Sequence, residues 1–218
     1  MKTTVIFDVD GTLVDTNWMH VESWFNTFKK FGVEVAKEDI LPMIGTGGEK
    51  ITKKFFSPEQ AAESAEAAIK THSENMSKTA KTAKVFPQVR ELFQELRRRG
   101  KKIVLATSAR QNIVDAHIKN MGVGDLVDAV VSSNEVKHTK PDPDIFIKAL
   151  EKAVASSTES VVIGDTVWDI VAANKAGIPT VAVLTGGNPE SDLRQAGAVE
   201  VYKDIADLLS RLDHSMIR

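Results

Sequence analysis

Two carboxylates close the first apolar run of the chain. Asp8 and Asp10 stand two residues apart in Val5-Ile6-Phe7-Asp8-Val9-Asp10-Gly11-Thr12-Leu13-Val14-Asp15-Thr16. Side chains alternate along a strand with period two, so both are expected on the same side. Like charges that close repel, and the repulsion is relieved by a cation between them or by a proton on one of them. The plainer reading is that the pair ends the strand and shapes a turn, Gly11 giving the bend and Thr12 a side-chain hydrogen bond. For an isolated pair that plainer reading prevails.

The positions of other polar residues shift the balance. Thr107 ends a second apolar run, Lys140 follows a third, Asp165 ends a fourth, and Asp169 lies one helical turn beyond it. Each alone has an ordinary role: Thr107 and Asp165 can cap the helices that follow them, and Lys140 before Pro141 can be a surface lysine. In an open parallel sheet, however, the C-terminal ends of the strands share one edge, and ligands bind there. Such a sheet gathers these groups in one small volume. Asp8, Asp165 and Asp169, with nearby carbonyl oxygens, form a hard-oxygen set suited to Mg²⁺. Unclustered histidines and the lack of cysteine speak against zinc. A cation, an oxygen nucleophile, a hydroxyl donor and an ammonium group in one place describe phosphoryl transfer, where positioning and charge neutralisation supply most of the catalysis. A carboxylate nucleophile would form an aspartyl phosphate and divide the reaction into two steps.

The elements that must position these groups are readable from periodicity. Short β-branched runs begin at Thr3, Lys102, Asp128, Ser160 and Pro179, each separated from the next by a segment with helical spacing. Near-continuous apolar strands alternating with helices indicate a parallel sheet covered on both faces. Pro87 opens a helix through Val89, Leu92, Phe93 and Leu96 that Gly100 closes. Asp142-Pro143 reads as an N-cap followed by proline at the first helical position. Another helix is expected from about Val167 to a cap at Gly177, with a last strand over 199–202 and a closing helix over 205–212. The region from Thr16 to Val85 breaks the rhythm, with helical patterns and no convincing strand. One helix is expected over 20–31, and a second begins with the capping box Ser57-Pro58-Glu59-Gln60 and continues toward Ala83. The Lys78 to Lys84 series reads as a solvated helix end. The expected fold is α/β: a Rossmann-like parallel-sheet core formed by residues 1–15 and 86–218, with a small α-helical cap domain inserted at residues 16–85.

In order and spacing, Asp8-Val9-Asp10-Gly11-Thr12, Thr107, Lys140 and Gly164-Asp165 with Asp169 resemble the four motifs of the haloacid dehalogenase superfamily, from about residue 3 to residue 187. The insertion is similar to the helical cap of the subgroup that includes phosphoglycolate phosphatases and β-phosphoglucomutases. The resemblance implies that Asp8 attacks phosphorus and that Asp10 protonates the leaving oxygen and then activates water. It implies that Thr107 and Lys140 hold the phosphoryl oxygens. Mg²⁺ would be bound by Asp8, the main-chain carbonyl of Asp10 and Asp165, with Asp169 orienting a metal-bound water. True dehalogenases lack an acid where Asp10 stands, because a halide leaves without a proton, and the transport ATPases carry Thr there. Retaining Asp10 favours hydrolysis of a phosphate ester. Mutases of the family grip a second phosphate with an Arg in the cap loop. Glu49 and Lys50 stand in that area here, leaving Lys50, Lys53 or Lys54 to serve. The expected activity is a Mg²⁺-dependent phosphatase of small phosphomonoesters, of phosphoglycolate or sugar phosphate type. The alternatives are a β-phosphoglucomutase-like phosphotransferase and a catalytically silent phosphate-binding regulatory protein.

The stretch MIGTGGEKIT, from Met43 to Thr52, fits neither a Walker loop nor a dinucleotide fingerprint. It reads as a flexible cap loop closing over the sheet edge or as an ordinary interhelical turn. His20 and Trp24 lie one turn apart on the first cap helix, facing the substrate or serving as a hinge His and a core Trp. Ser108, His20 and Gly47 therefore join Thr107 and Lys140 as candidates for contacting the substrate. Gln88 stands where relatives often carry Gly. The 218 residues hold no cysteine and a formal net charge of only -2, which asks for neither nucleic acid nor an anionic membrane. A small phosphorylated metabolite is the expected partner, with the chain a monomer or homodimer. MKTTVIFDVDG predicts neither a signal peptide nor a membrane span, and a cytoplasmic protein is expected.

Overall fold

The structure, a computed structural model, describes residues 2–218. The first apolar run folds as β1 (Thr4–Phe7) and turns through Gly11, whose φ of 78° few other residues tolerate, into β2 (Val14–Asp15). Helices α1 (Asn17–Lys30), α2 (Lys37–Ile40), α3 (Gly48–Phe55) and α4 (Pro58–Thr79) follow. The short β3 (Lys84–Val85) then returns antiparallel to β2. From there helices and strands alternate: α5 (Val89–Arg98), β4 (Lys102–Ala106), α6 (Gln111–Met121), β5 (Ala129–Val131), α7 (Asp144–Ala153), β6 (Ser160–Gly164), α8 (Val167–Lys175), β7 (Thr180–Val183), α9 (Glu190–Ala196), β8 (Glu200–Tyr202) and α10 (Ile205–Ser210).

Six strands form one parallel sheet in the order β5-β4-β1-β6-β7-β8. The period of two sorts its residues between two apolar layers. Val5, Phe7, Ile103, Leu105, Val161 and Ile163 pack on one face with α5 and α10, while Ile6, Val104 and Val162 pack on the other with α7 and α8. Each fully buried Val, Ile or Phe contributes roughly 1.5–3 kcal/mol relative to exposure, which is why β1, β4 and β6 are wholly apolar after their first residues Thr4, Lys102 and Ser160. Phe7 pairs in register with Leu105 on one side and Ile163 on the other. Asp8, Thr107 and Asp165 therefore emerge together just past three adjacent strand ends.

Residues of α1 to α4 enclose a separate cluster of Val21, Trp24, Phe28, Ile40, Ile51, Phe56 and Ala68. The Ser57 capping box is formed: the Gln60 N–H donates to Ser57 Oγ at 3.2 Å and the Ser57 N–H to Gln60 Oε1 at 3.2 Å. Several expectations need correction. The first strand ends at Phe7, so neither Asp8 nor Asp10 lies on it. The region between the first two motifs is bounded by strands after all, because β2 and β3 join its two connections in a ladder too short to show a period. α1 begins at Asn17, and α7 begins after Pro143, which caps it in place of Asp142. Half of MIGTGGEKIT is helix, belonging to α3. Among the described residues no helix is long and apolar enough to cross a membrane.

Candidate active site

Asp8 continues the sheet by one bond, its N–H donating to the Ile163 carbonyl at 2.9 Å. Its carboxylate is buried against Lys140, which is itself 0% exposed. The Lys140 ammonium contacts Asp8 Oδ1, forms an ion pair with Asp169 Oδ1 at 2.7 Å and donates to the Ala106 carbonyl at 3.2 Å. Asp169 is held in turn by the start of α8, its Oδ2 accepting from the Thr166 N–H at 3.0 Å and hydroxyl at 2.6 Å. Lys140 is thus a fixed cation beneath the strand ends and no surface lysine.

Asp165 completes the group. Thr12 Oγ1 donates to its Oδ1 at 2.6 Å and Asn17 Nδ2 to its Oδ2 at 3.3 Å. A Cβ on Gly11 would stand 2.3 Å from Asp165 Oδ2, and one on Gly186 only 1.9 Å, so the carboxylate rests between two backbones that must lack side chains. Asp8, Asp165 and Asp169 each offer an oxygen within 4.8 Å of the others. Three buried carboxylates around one ammonium leave surplus negative charge. Burial, opposed by Lys140 and reinforced by Asp169 and Asp10, pushes the Asp8 carboxyl up to about 7. Burial and the charges of Asp169 and Asp8 push Asp165 well above the usual carboxylate range. For Lys140, burial disfavours the charge, yet Asp169 and Asp8 outweigh it and raise its proton affinity. Hard oxygens in a buried, over-negative site fit a divalent cation.

Asp10 does not share in this group, contrary to the expectation from strand alternation. The strand has ended and the turn at Gly11 has begun, so its carboxylate faces the helices. Oδ1 accepts from Thr16 Oγ1 at 2.7 Å and lies 3.0 Å from His20 Nε2 and 3.3 Å from His117 Nε2; Oδ2 accepts from Thr107 Oγ1 at 3.3 Å. Burial alone would raise its pKa, but His20 and His117 outweigh burial and hold Asp10 well below the usual range. Its side chain is no metal ligand here, and only its main-chain carbonyl is left for that role.

A cavity of about 70 Å³ lies between the strand ends and the helices, lined by Asp8, Asp10, His20, Trp24, Thr107 and Ser108 among others. Thr107 Oγ1 also accepts from the Ala109 N–H at 3.0 Å, while the buried Ser108 Oγ has no partner among the described residues. Both readings of Trp24 hold together, since it packs in the helical cluster and also lines the cavity. Gly47 does not line it. A Cβ there would meet Thr139 Oγ1 at 1.9 Å, so Gly47 seats the loop on the core instead. Nor do Lys50, Lys53 or Lys54 reach the cavity, and Lys50 pairs with Asp142 at 2.8 Å. Arg110, paired with Glu66, is the one Lys or Arg in the lining.

Sequence reasoning missed His72, His117, Arg110, Thr16 and Asn17. For Thr16 and Asn17 a signal existed, since with His20 they make a polar, buried start to a helix beside the motif. His72 and His117 are single histidines in amphipathic helices and carried none.

With this geometry in place, comparison with known proteins is direct. The sequence profile of the family described as haloacid dehalogenase-like hydrolase matches residues 5–183. The chain belongs to that family. This haloacid dehalogenase-like hydrolase is 30% identical over 214 residues to Pyrophosphatase PpaX of Bacillus mycoides, covering 96% of this chain and 98% of the relative. Its fold matches the crystal structure of a hydrolase from Pseudomonas syringae with a TM-score of 0.89 and 31% identity, over 98% of this chain and 99% of the other. It also matches the fold of β-phosphoglucomutase from Clostridium difficile, with a TM-score of 0.80 at 19% identity over the full length of both chains. This haloacid dehalogenase-like hydrolase is an enzyme, a hydrolase of that family.

Proposed function

We propose that the chain is a Mg²⁺-dependent phosphatase of small phosphomonoesters that works through an aspartyl phosphate on Asp8. The observation that carries this reading is the division of labour between two carboxylates two residues apart. Asp8 is paired with a buried lysine at the strand ends, while Asp10, in the lining of the same cavity, is ringed by Thr16, His20, His117 and Thr107. An Asp8 oxygen attacks phosphorus as the ester oxygen departs. Asp10 gives that oxygen a proton, then removes one from the water that cleaves the acyl phosphate. The donors around Asp10 keep it ionised at rest, the form that activates water, so its proton arrives with the substrate or solvent. Lys140, Thr107 and the unpartnered Ser108 hydroxyl hold phosphoryl oxygens. Asp8, Asp165 and the Asp10 main-chain carbonyl would hold Mg²⁺, and Asp169 positions Lys140 and the surrounding solvent. The chemistry a bound Mg²⁺ supplies is neutralisation of charge on the phosphoryl group and alignment for in-line attack.

Residues 16–85 act as the cap and residues 1–15 and 86–218 as the core in this reading. The small cavity favours a compact substrate such as phosphoglycolate or a short sugar phosphate. Pyrophosphate is the second reading, favoured by the Bacillus mycoides relative whose name is pyrophosphatase. The test is phosphate release from a panel of these compounds with and without Mg²⁺, with Asp8→Asn as the blank. Mg²⁺-dependent release abolished in Asp8→Asn is the expected result, and the panel's ranking chooses between ester and pyrophosphate. Release that survives the substitution overturns the reading, and isomerisation of a sugar bisphosphate faster than its hydrolysis replaces it with a mutase.

A further inference from the structure

We propose that His72 is a positioning residue for Asp10, acting through His20 by deciding which nitrogen of the His20 ring carries the proton. The proposal rests on the acid-base role given to Asp10 above. Three groups form a chain: Asp10 Oδ1 lies 3.0 Å from His20 Nε2, and His20 Nδ1 lies 3.1 Å from His72 Nε2. An ionised carboxylate only accepts, so His20 must carry its proton on Nε2. A neutral His20 then presents a bare Nδ1, which requires His72 to donate from Nε2.

The surroundings of His72 agree with that assignment. Its Nδ1 is buried and has no partner among the described residues. If His72 accepted at Nε2 instead, its proton would sit on Nδ1 as a buried donor with no acceptor, an arrangement folded proteins rarely keep. A doubly protonated His72 is opposed above all by burial, which holds its pKa well below the imidazole range. The ring is also held in place. Trp24 stacks on it with centroids 4.1 Å apart and planes 11° apart, and Ser23 Oγ donates to the His72 carbonyl at 3.3 Å.

The consequence is directional: His72 donates to His20, and His20 donates to Asp10. Without the outer donor, only Asp10 holds the His20 proton on Nε2, and the other tautomer, which sets two acceptors face to face at Asp10, no longer also sets two donors face to face at His72. This is the logic by which a buried aspartate orients the histidine of a serine protease triad, with a neutral donor in the orienting place. His72 lies on α4 and Asp10 in the turn after β1, so the chain exists only while the helices sit over the strand ends.

The test combines turnover with a readout that needs none. His72→Phe keeps a flat ring against Trp24 and removes the donor, whereas His72→Gln restores an N–H near the Nε2 position. With the best substrate of the panel, His72→Phe is expected to lower kcat about tenfold with KM within about twofold, and His72→Gln to recover kcat to within about threefold. Nitrogen-15 NMR of the unaltered protein is expected to show protons on Nε2 of both His20 and His72, and His72→Phe to mix the His20 tautomers. A proton on Nδ1 of His72, an unchanged His20 tautomer in His72→Phe, or equal loss in Phe and Gln variants overturns the proposal. If no phosphate compound is turned over, the proposed function fails while the NMR result still decides the positioning role.

Discussion

Lys140 is the residue on which the electrostatics of the site turn. It is fully buried between Asp8 and Asp169, so removing its charge leaves these two carboxylates without their counter-ion in the metal-free protein. Lys140→Met is expected to destabilise that form by about 3–5 kcal/mol at pH 8, the range for breaking a buried pair. The loss should be smaller at pH 5, below the value of about 7 to which Asp8 is raised; equal losses in urea titrations at the two pH values would refute the charge argument. The sign follows from the raised carboxyls. A group whose folded pKa lies above its unfolded value stabilises the fold below about 4 and loses that contribution as pH rises through the folded value, here about 7 for Asp8. A cation must displace these protons to bind. Mg²⁺ affinity measured by calorimetry is therefore expected to be tighter at pH 8 than at pH 6, with protons released on binding. Gly186→Ala, which drives a methyl group into Asp165 Oδ2, should weaken Mg²⁺ binding at least tenfold while thermal unfolding stays cooperative.

At the scale of elements, local chemistry explains most boundaries, and two positions run against it. Val154 caps α7 in the left-handed region at φ 48°, although it is β-branched and 86% exposed. Gln88 occupies the same region at φ 63° before α5, a conformation that Gly would adopt without strain. Replacing Val154 by Gly removes side-chain strain at no packing cost. An increase of about 1 kcal/mol, or a rise in Tm of about 2–4 °C, is expected in calorimetry. The Ser57 capping box and the apolar positions of α5 were readable because each depends on residues three or four apart. The ladder of β2 with β3 was not, because two-residue strands have no period and their pairing joins Asp15 to Lys84 across the whole insertion.

At the scale of the molecule, the helices of residues 17–79 meet the core at several places, among them α4 against α6, where Met76 packs on Ile113 and Glu66 pairs with Arg110. The β2–β3 ladder joins them at one side. At the other, Gly47 packs on Thr139, Gly45 approaches Thr166, Lys50 pairs with Asp142 at 2.8 Å and Trp168 Nε1 donates to the Pro42 carbonyl at 2.9 Å. These contacts seat the loop that the sequence left open between a closing loop and a simple turn. The Lys50 pair is a third exposed and is worth about 0.2–1 kcal/mol, so Lys50→Ala alone should change little. Combined with Trp168→Phe it should loosen the seat and raise KM several-fold. Hydrogen exchange is expected to show faster exchange across α3 in the double variant, with α5 and β1 unchanged as the control.

The sequence by itself determined the parallel α/β core, the helical insertion and the strand ends followed by Asp8, Thr107 and Asp165, with Lys140 and Asp169 in the segments beyond. It could do so because periodicity, caps and turns are written within a few residues, and a parallel sheet sends every strand end to one edge. Only the tertiary structure decided that Asp8 and Asp10 face different partners, that Lys140 is pinned by Asp169, that His117 reaches Asp10, and that His72 reaches it through His20. His20 and His72 are 52 residues apart in sequence and 3.1 Å apart in space. Such a contact depends on how two helices pack, and packing is decided by the whole apolar surface rather than by any pattern near either residue.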